Sequence, residues 1–302
     1  MTRLAVFAYS DTGYECLRFL LDRGESVVLV ATHPDAPGEN LWFPSVAELA
    51  RSRGIDPILV DRPDAALARR VREAAPDLLF SFYFRHLLPQ EIVSIAPRGA
   101  FNLHGSLLPR YRGRAPVNWA VALGEKETGA TLHVMSPSAD AGDIVDQEAV
   151  PIGPDDTALE VQKRVTQAGL KLLERRLSEL ANGTAPRRRQ EESLATKFGR
   201  RTPEDGRIDW TRPAEEVHNL VRAVTHPYPG AFTDIFGSRT FVWKSRVPHL
   251  GAHDNFPGQV RAEQGRLYVA CGDDRYLEIL RIQREGQNEI DARHFLSEAV
   301  SS

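Results

Sequence analysis

The first 85 residues alternate short apolar runs with amphipathic stretches, and few architectures accommodate that order. RLAVFAYS, SVVLVATH, PILV and LLFSFYF are almost wholly apolar, as strands covered on both faces must be. Between them, YECLRFLLDRG carries Leu17, Leu20 and Leu21 at helical spacing and stops at Gly24. SVAELARSRG begins at a candidate N-cap, Ser45, and an Ala- and Arg-rich helix lies near Ala65 to Ala74. Asp11, Thr12 and Gly13 read as a turn after the first strand. Strands alternating with helices predict an α/β, Rossmann-like parallel sheet with helices on both faces. TALEVQKRVTQAGLKLLERRLSEL, a long amphipathic helix, closes this domain over 1–182. An Arg-, Gly- and Pro-rich stretch, 183–206, reads as a linker or substrate loop. Over 207–302 the helix PAEEVHNLVRAV precedes GAFTDIF, RTFVWKSRV, GQVRAEQGRLYVACG and RYLEILRIQ. These short strands with glycine-containing turns predict a small OB-like β-barrel.

A chain of 302 residues suits two such domains. Its net charge of -3 excludes a polyanion binder held by bulk charge. Cys16 and Cys271 lie far apart and form no metal-type pair, which points to a reducing cytoplasm and no metal site. The apolar run Leu4 to Tyr9 is too short for a secretory signal, and nothing approaches the ~20 apolar residues of a membrane span. Trp42, Trp119, Trp210 and Trp243 read as packing residues, and His133 and His218, inside patterned elements, as structural ones.

The stretch GAFNLHGSLLPRYRGRAP departs from this apolar regularity. Asn102 and His104 are two apart in a buried strand, so they share a face, while Phe101 and Leu103 face the other layer. Gly105 ends the strand, and ligands of open parallel sheets sit beyond the C-terminal strand edges. An amide that donates to an oxyanion, beside an imidazole that moves a proton, suits nucleophilic attack on a carbonyl. Both groups also suit hydrogen bonds to neighbouring loops, and spacing leaves the two readings open. In MSPSADAGDIV, Asp140 and Asp143 follow another strand; a carboxylate there would orient His104, or would cap a turn.

With Asn102, His104 and Asp140 set in FNLHGSLLPRYRGRAPVNWA and ETGATLHVMSPSADAGDIV, the chain strongly resembles the 10-formyltetrahydrofolate-dependent formyltransferases. VFAYSDTG, THPDAPGE, FSFYFRHLLP, FGRRTPEDG, HNLVRAV and PYPGAF extend the resemblance along the whole chain. They look most like the formyltransferase half of the bifunctional polymyxin-resistance enzyme, which acts on UDP-4-amino-4-deoxy-L-arabinose in lipid A modification. The resemblance implies that Asn102 donates to the developing oxyanion, His104 moves the proton and Asp140 orients and charges His104. It implies 10-formyltetrahydrofolate along His86, Leu87 and Leu88, with Arg114 and the turn Ser136, Pro137, Ser138, Ala139, Asp140 contributing. By residue type alone, Arg112 and Arg114 read as a solvated loop, and His86 to Leu88 as a packed strand end.

Three acceptor amines fit such a family. An initiator tRNA needs clustered cations, yet from Gly206 onward 12 Lys+Arg face 13 Asp+Glu. A nucleotide sugar asks for a few donors on its diphosphate, and Arg200 and Arg201 in KFGRRTPEDG would grip one. A hydroxyornithine-type siderophore precursor is the third. The sequence favours the nucleotide sugar, with initiator tRNA or another small amine such as the hydroxyornithine as the alternatives. Rivals of other kinds are a hydrolase of 10-formyltetrahydrofolate, with water in place of the amine, and a binding protein without turnover. No second glycine-rich dinucleotide motif is present, so the expected activity is formylation without the NAD-dependent oxidation of the bifunctional enzyme's other half.

Overall fold

The structure, a computed structural model, describes residues 1–34, 40–250 and 255–295. Residues 35–39 of the THPDAPGE motif lie outside it. The chain divides into two compact units. The first comprises Met1–Pro116, Thr128–Val150 and Gln162–Phe198; the second comprises Val117–Glu127, Pro151–Val161 and Gly199–Ser302. The stretch 183–206 is therefore shared, its residues to Phe198 in the first unit and those from Gly199 in the second.

In the first unit the apolar runs become β1 (Arg3–Ala8), β2 (Ser26–Thr32), β3 (Ile58–Leu59), β4 (Leu78–Phe82) and β5 (Ala100–His104). Their ladders are parallel, β1 between β2 and β4, β3 beyond β2 and β5 beyond β4. A two-residue strand, β6 (Arg112–Gly113), leaves the sheet, which β7 (Glu127–Val134) and β8 (Ile144–Pro151) then extend. The order is β3-β2-β1-β4-β5-β7-β8. The sheet is parallel from β3 through β5, as the alternating strands and helices predict, and β7 then runs antiparallel to β5. Apolar alternation reports burial but carries no strand direction.

The helices form where capping and apolar spacing place them. Ser45 accepts from the Glu48 N–H ahead of Val46–Ser52, and Asp64 accepts from the Leu67 N–H ahead of Ala65–Glu73. The expected turn at Asp11–Gly13 is instead the first turn of the helix Ser10–Asp22. Gly13 serves packing there, since a Cβ on it would stand 2.9 Å from the Phe82 carbonyl oxygen. One core cluster gathers Phe7, Leu29, Leu67, Val71, Leu79, Leu88 and Ile92 between sheet and helices.

The second unit is an antiparallel sheet with the helix Ala214–Val224, the coarser form of the expected barrel. After β9 (Lys197–Phe198), which pairs with β6, come β10 (Ala231–Thr233), β11 (Thr240–Arg246), β12 (Val260–Glu263), β13 (Arg266–Ala270), β14 (Tyr276–Arg284) and β15 (Ile290–Asp291). Their order is β10-β11-β14-β13-β12, with β15 on β14. His218 is buried in this unit, against Ser245 Oγ at 3.0 Å and the Pro154 carbonyl at 3.3 Å, in the packing role expected of it. Trp210 and Trp243 pack there too, donating to Thr233 Oγ1 and Gln283 Oε1. Among the described residues no helix is long and apolar enough to cross a membrane.

Candidate active site

Asn102 and His104 occupy the C-terminal end of β5, two apart and on one face. The antiparallel register of β7 sets His133 opposite Asn102 and Thr131 opposite His104. Every other residue of β5 is buried; Asn102 alone keeps partial exposure.

Asn102 Nδ2 donates to His133 Nε2 at 3.1 Å. His104 Nε2 donates to the Tyr111 carbonyl at 2.7 Å, and its Nδ1 lies 3.5 Å from Asp140 Oδ1. That same oxygen is 3.5 Å from His133 Nε2, while Asp140 Oδ2 accepts the Gly113 N–H at 2.9 Å. Asp140, rather than Asp143, is thus the carboxylate brought to His104.

Burial lowers the His104 imidazole below its ordinary value, against the opposing pull of Asp140 and the Tyr111 carbonyl. Burial raises the Asp140 carboxyl, but His104, then His133, then the Gly113 N–H outweigh it and hold the group well below the usual carboxylate range. The two groups share one equilibrium, since Asp140 gains most from a charged His104 and burial works against that charge. An ionised Asp140 is the direction that stands, because the Gly113 N–H meets Oδ2 whichever state the rings adopt. Both nitrogens of His104 face oxygens. A neutral imidazole has one N–H for these two acceptors, and an imidazolium has one for each. The cluster is one proton short of full hydrogen bonding, which is where a general base starts.

Residues far along the chain hold this geometry. Asp140 sits in the left-handed region, φ +55°, where a side chain other than glycine is uncommon. Gln190 braces the turn, donating from Nε2 to the carbonyls of Asp140 and Gly142, both at 2.7 Å. Its Oε1 accepts from Arg112 Nε and Nη2 at 3.1 and 2.8 Å, and Arg112 also forks onto Glu192. Arg112 is only 8% exposed, which corrects its reading as a solvated loop residue. The Tyr111 N–H donates to Thr196 Oγ1 at 2.8 Å, and the Tyr111 ring stacks on Phe198 at 4.9 Å. β6 and β9 meet so closely that a Cβ on Gly113, at φ +100°, would lie 2.2 Å from the Phe198 carbonyl oxygen.

The other expected site residues are placed unevenly. Arg114 Nη2 donates to the Arg85 carbonyl at 3.0 Å, so the structure brings Arg114 to the His86 segment. His86 lies edge-on to His33 at 5.1 Å, Leu87 is 68% exposed, and Leu88 is packed into the core. In the 136–140 turn, Ser136 Oγ donates to the Ser138 carbonyl at 2.7 Å, Pro137 and Ser138 are exposed, and Ala139 is half-buried. In the second unit Arg200 is exposed. Arg201 lies over the Trp119 ring at 4.5 Å and donates to the Asp205 carbonyl, and burial lowers its guanidinium. Arg201 is thus already engaged within its own unit, and Arg200 is the freer cation of the pair.

The sequence reading missed His133, Arg112, Gln190 and Thr196. For His133 a signal existed: Thr131 and His133 repeat, in a second buried strand, the two-apart polar pairing of Asn102 and His104. For the others none did, because their partners lie dozens of residues away.

Comparison with known families places this α/β sheet and its antiparallel C-terminal unit in one class. The formyl transferase profile matches residues 16–177, and the profile of the formyl transferase C-terminal domain matches residues 200–299. The chain belongs to the formyl transferase family and is a formyltransferase. Among solved structures it is similar to WlaRD, a sugar 3N-formyl transferase, with TM-score 0.72 and 19% identity, over 95% of this chain and 99% of that one. It is also similar to the N-formyltransferase from Helicobacter canadensis, with TM-score 0.73 and 21% identity over 92% and 99% of the two chains. HypX from Aquifex aeolicus shares the fold at TM-score 0.67 and 18% identity, with all of this chain matching 48% of that one.

Proposed function

We propose that the protein transfers the formyl group of 10-formyltetrahydrofolate to the primary amine of a nucleotide-linked amino sugar, most specifically UDP-4-amino-4-deoxy-L-arabinose. The observation that carries this reading is the convergence of Asn102, His104 and Asp140, with His104 one proton short of its two acceptors. Support for the co-substrates comes from the relatives. WlaRD was solved with dTDP and 5-N-formyl-THF, and the Helicobacter canadensis enzyme with folinic acid and dTDP-3-aminofucose. The motifs FSFYFRHLLP, FGRRTPEDG and PYPGAF favour the amino-arabinose acceptor, and the near-neutral C-terminal unit disfavours tRNA.

The chemistry then follows from the side chains. The amine lone pair attacks the formyl carbon and forms the new C–N bond, and the carbonyl electrons move onto oxygen. An Asn102 N–H donates to that oxyanion, a type of contact that contributes about 2.7–4 kcal/mol. His104 takes a proton from the nitrogen that has attacked. The resulting imidazolium finds Asp140 on one N–H and the Tyr111 carbonyl available to the other, which offsets the cost of charging a buried ring. The bond to folate N10 breaks as the carbonyl re-forms, N10 receives the proton from His104, and the products are the formamide and tetrahydrofolate. Arg114 and the 136–140 turn would hold the folate, and Arg200 would meet the diphosphate.

The test is formyl transfer from 10-formyltetrahydrofolate with UDP-4-amino-4-deoxy-L-arabinose, a dTDP-3-amino sugar and charged initiator tRNA offered in parallel. Formylation of the UDP sugar alone is expected. Preference for the dTDP sugar overturns the nucleotide assignment, and formylated tRNA overturns the sugar assignment.

A further inference from the structure

We propose that His133 is a positioning residue for formyl transfer: it fixes the rotation of the Asn102 amide so that an N–H, and not the amide oxygen, meets the oxyanion. This rests on the acyl-transfer reading above. His133 Nδ1 stands 2.9 Å from the Val134 carbonyl, a group that only accepts, so Nδ1 carries the hydrogen. In the neutral ring Nε2 is then a lone pair, and the Asn102 atom 3.1 Å from it must be the NH2 group. One N–H of that group is spent on His133. The other belongs to the one half-exposed side chain of β5 and is the donor left for a substrate oxygen.

An asparagine amide is nearly symmetrical in shape, so sterics alone do not choose between its two rotations. The wrong rotation would present Oδ1 to an oxyanion and repel it. His133 is suited to making the choice: it is buried, it is tied to its own strand through Nδ1, and the β5–β7 register sets it directly opposite Asn102. The charged and titratable groups beside it are Asp140, with Oδ1 at 3.5 Å from Nε2, and the His104 ring, 6.5 Å away between centroids. The Nε2 acceptor, 3.1 Å from Asn102 Nδ2, is what holds the amide.

The experiment compares His133→Gln, whose Oε1 replaces the Nε2 acceptor, with His133→Phe and His133→Met, which supply none. Each is read by kcat, by KM for both substrates and by Tm. The expected result is a loss of about 10-fold in kcat for the apolar variants, in line with the sensitivity of transfer steps to small misplacements. Their KM values should stay near wild type, and Gln should recover most of kcat. In an Asn102→Ala background the apolar substitutions should cost almost nothing further, because residues that act through one another are not additive. Equal losses for Gln and the apolar variants overturn the proposal, as does the same fold-loss with and without Asn102. Should Phe lower Tm sharply, the Met and Gln variants carry the same comparison. A wild-type protein that formylates no amine overturns the acyl-transfer reading instead, and so is distinguishable from a failure of His133 alone.

Discussion

Asp140 in the first unit and Glu278 in the second both sit among polar partners, and the two are treated in opposite ways. Glu278 on β14 faces Arg246 across the β11 ladder and accepts from Nε and Nη2 at 2.7 and 3.1 Å, with Arg266 at 4.0 Å. A fixed cation meets it, so its charge has one stable state. Asp140 has no such partner. Its oxygens meet one backbone N–H at 2.9 Å and lie 3.5 Å from His104 Nδ1 and from His133 Nε2. The first arrangement stabilises a sheet. The second leaves His104 facing two oxygens with one N–H while its ring is neutral.

The comparison breaks first at His104. Replacing it with Ala should lower kcat by about 10²–10⁴-fold, the range for a lost general base, while circular dichroism and donor binding stay near wild type. A loss of folding would instead make His104 a structural group like Glu278.

The Asp140→Asn protein sharpens the contrast through pH. Asp140 raises the His104 pKa, so removing its charge should move the acid limb of kcat/KM to lower pH and reduce kcat. Stability changes with the opposite reach. A carboxyl held below its ordinary 3.8 contributes stability above that value and loses it as pH falls, so wild type and Asp140→Asn should converge in acid in denaturant unfolding. An acid limb that moves upward would show that Asp140 does not act on His104.

The smallest effect belongs to the C-terminal pair. Arg246→Ala should cost about 1–3 kcal/mol of unfolding free energy, toward the lower end because Arg246 is half exposed and Arg266 remains close. Its kcat should not change. A matching fall in kcat would erase the distinction between the two carboxylates.

Most of the scaffold is legible in the residues. β1 to β5 stand where continuous apolar runs predict them, and Ser45 and Gly24 mark helix ends as expected. Asn102 and His104 are visible because polarity in a buried strand asks for a reason. What stays hidden is what depends on direction or distance. TLHVM looks the same whether it runs with β5 or against it, so its pairing of His133 with Asn102 is invisible until the register is known. RYRGR looks solvated because nothing local tells Arg112 that Gln190 and Glu192 will return to bury it.

That return has a practical consequence for anyone dissecting the chain. The long helix Ala158–Asn182 ends where the sequence turns rich in arginine, glycine and proline, an inviting place to trim a fragment or to let a protease nick. Yet Arg188 bridges Ile144, Gln190 braces Asp140, Thr196 anchors Tyr111 and Phe198 lies against Gly113. A fragment stopped at Asn182 would lose the clasp around Asp140, Tyr111 and Gly113, so one meant to keep that geometry has to extend to Phe198.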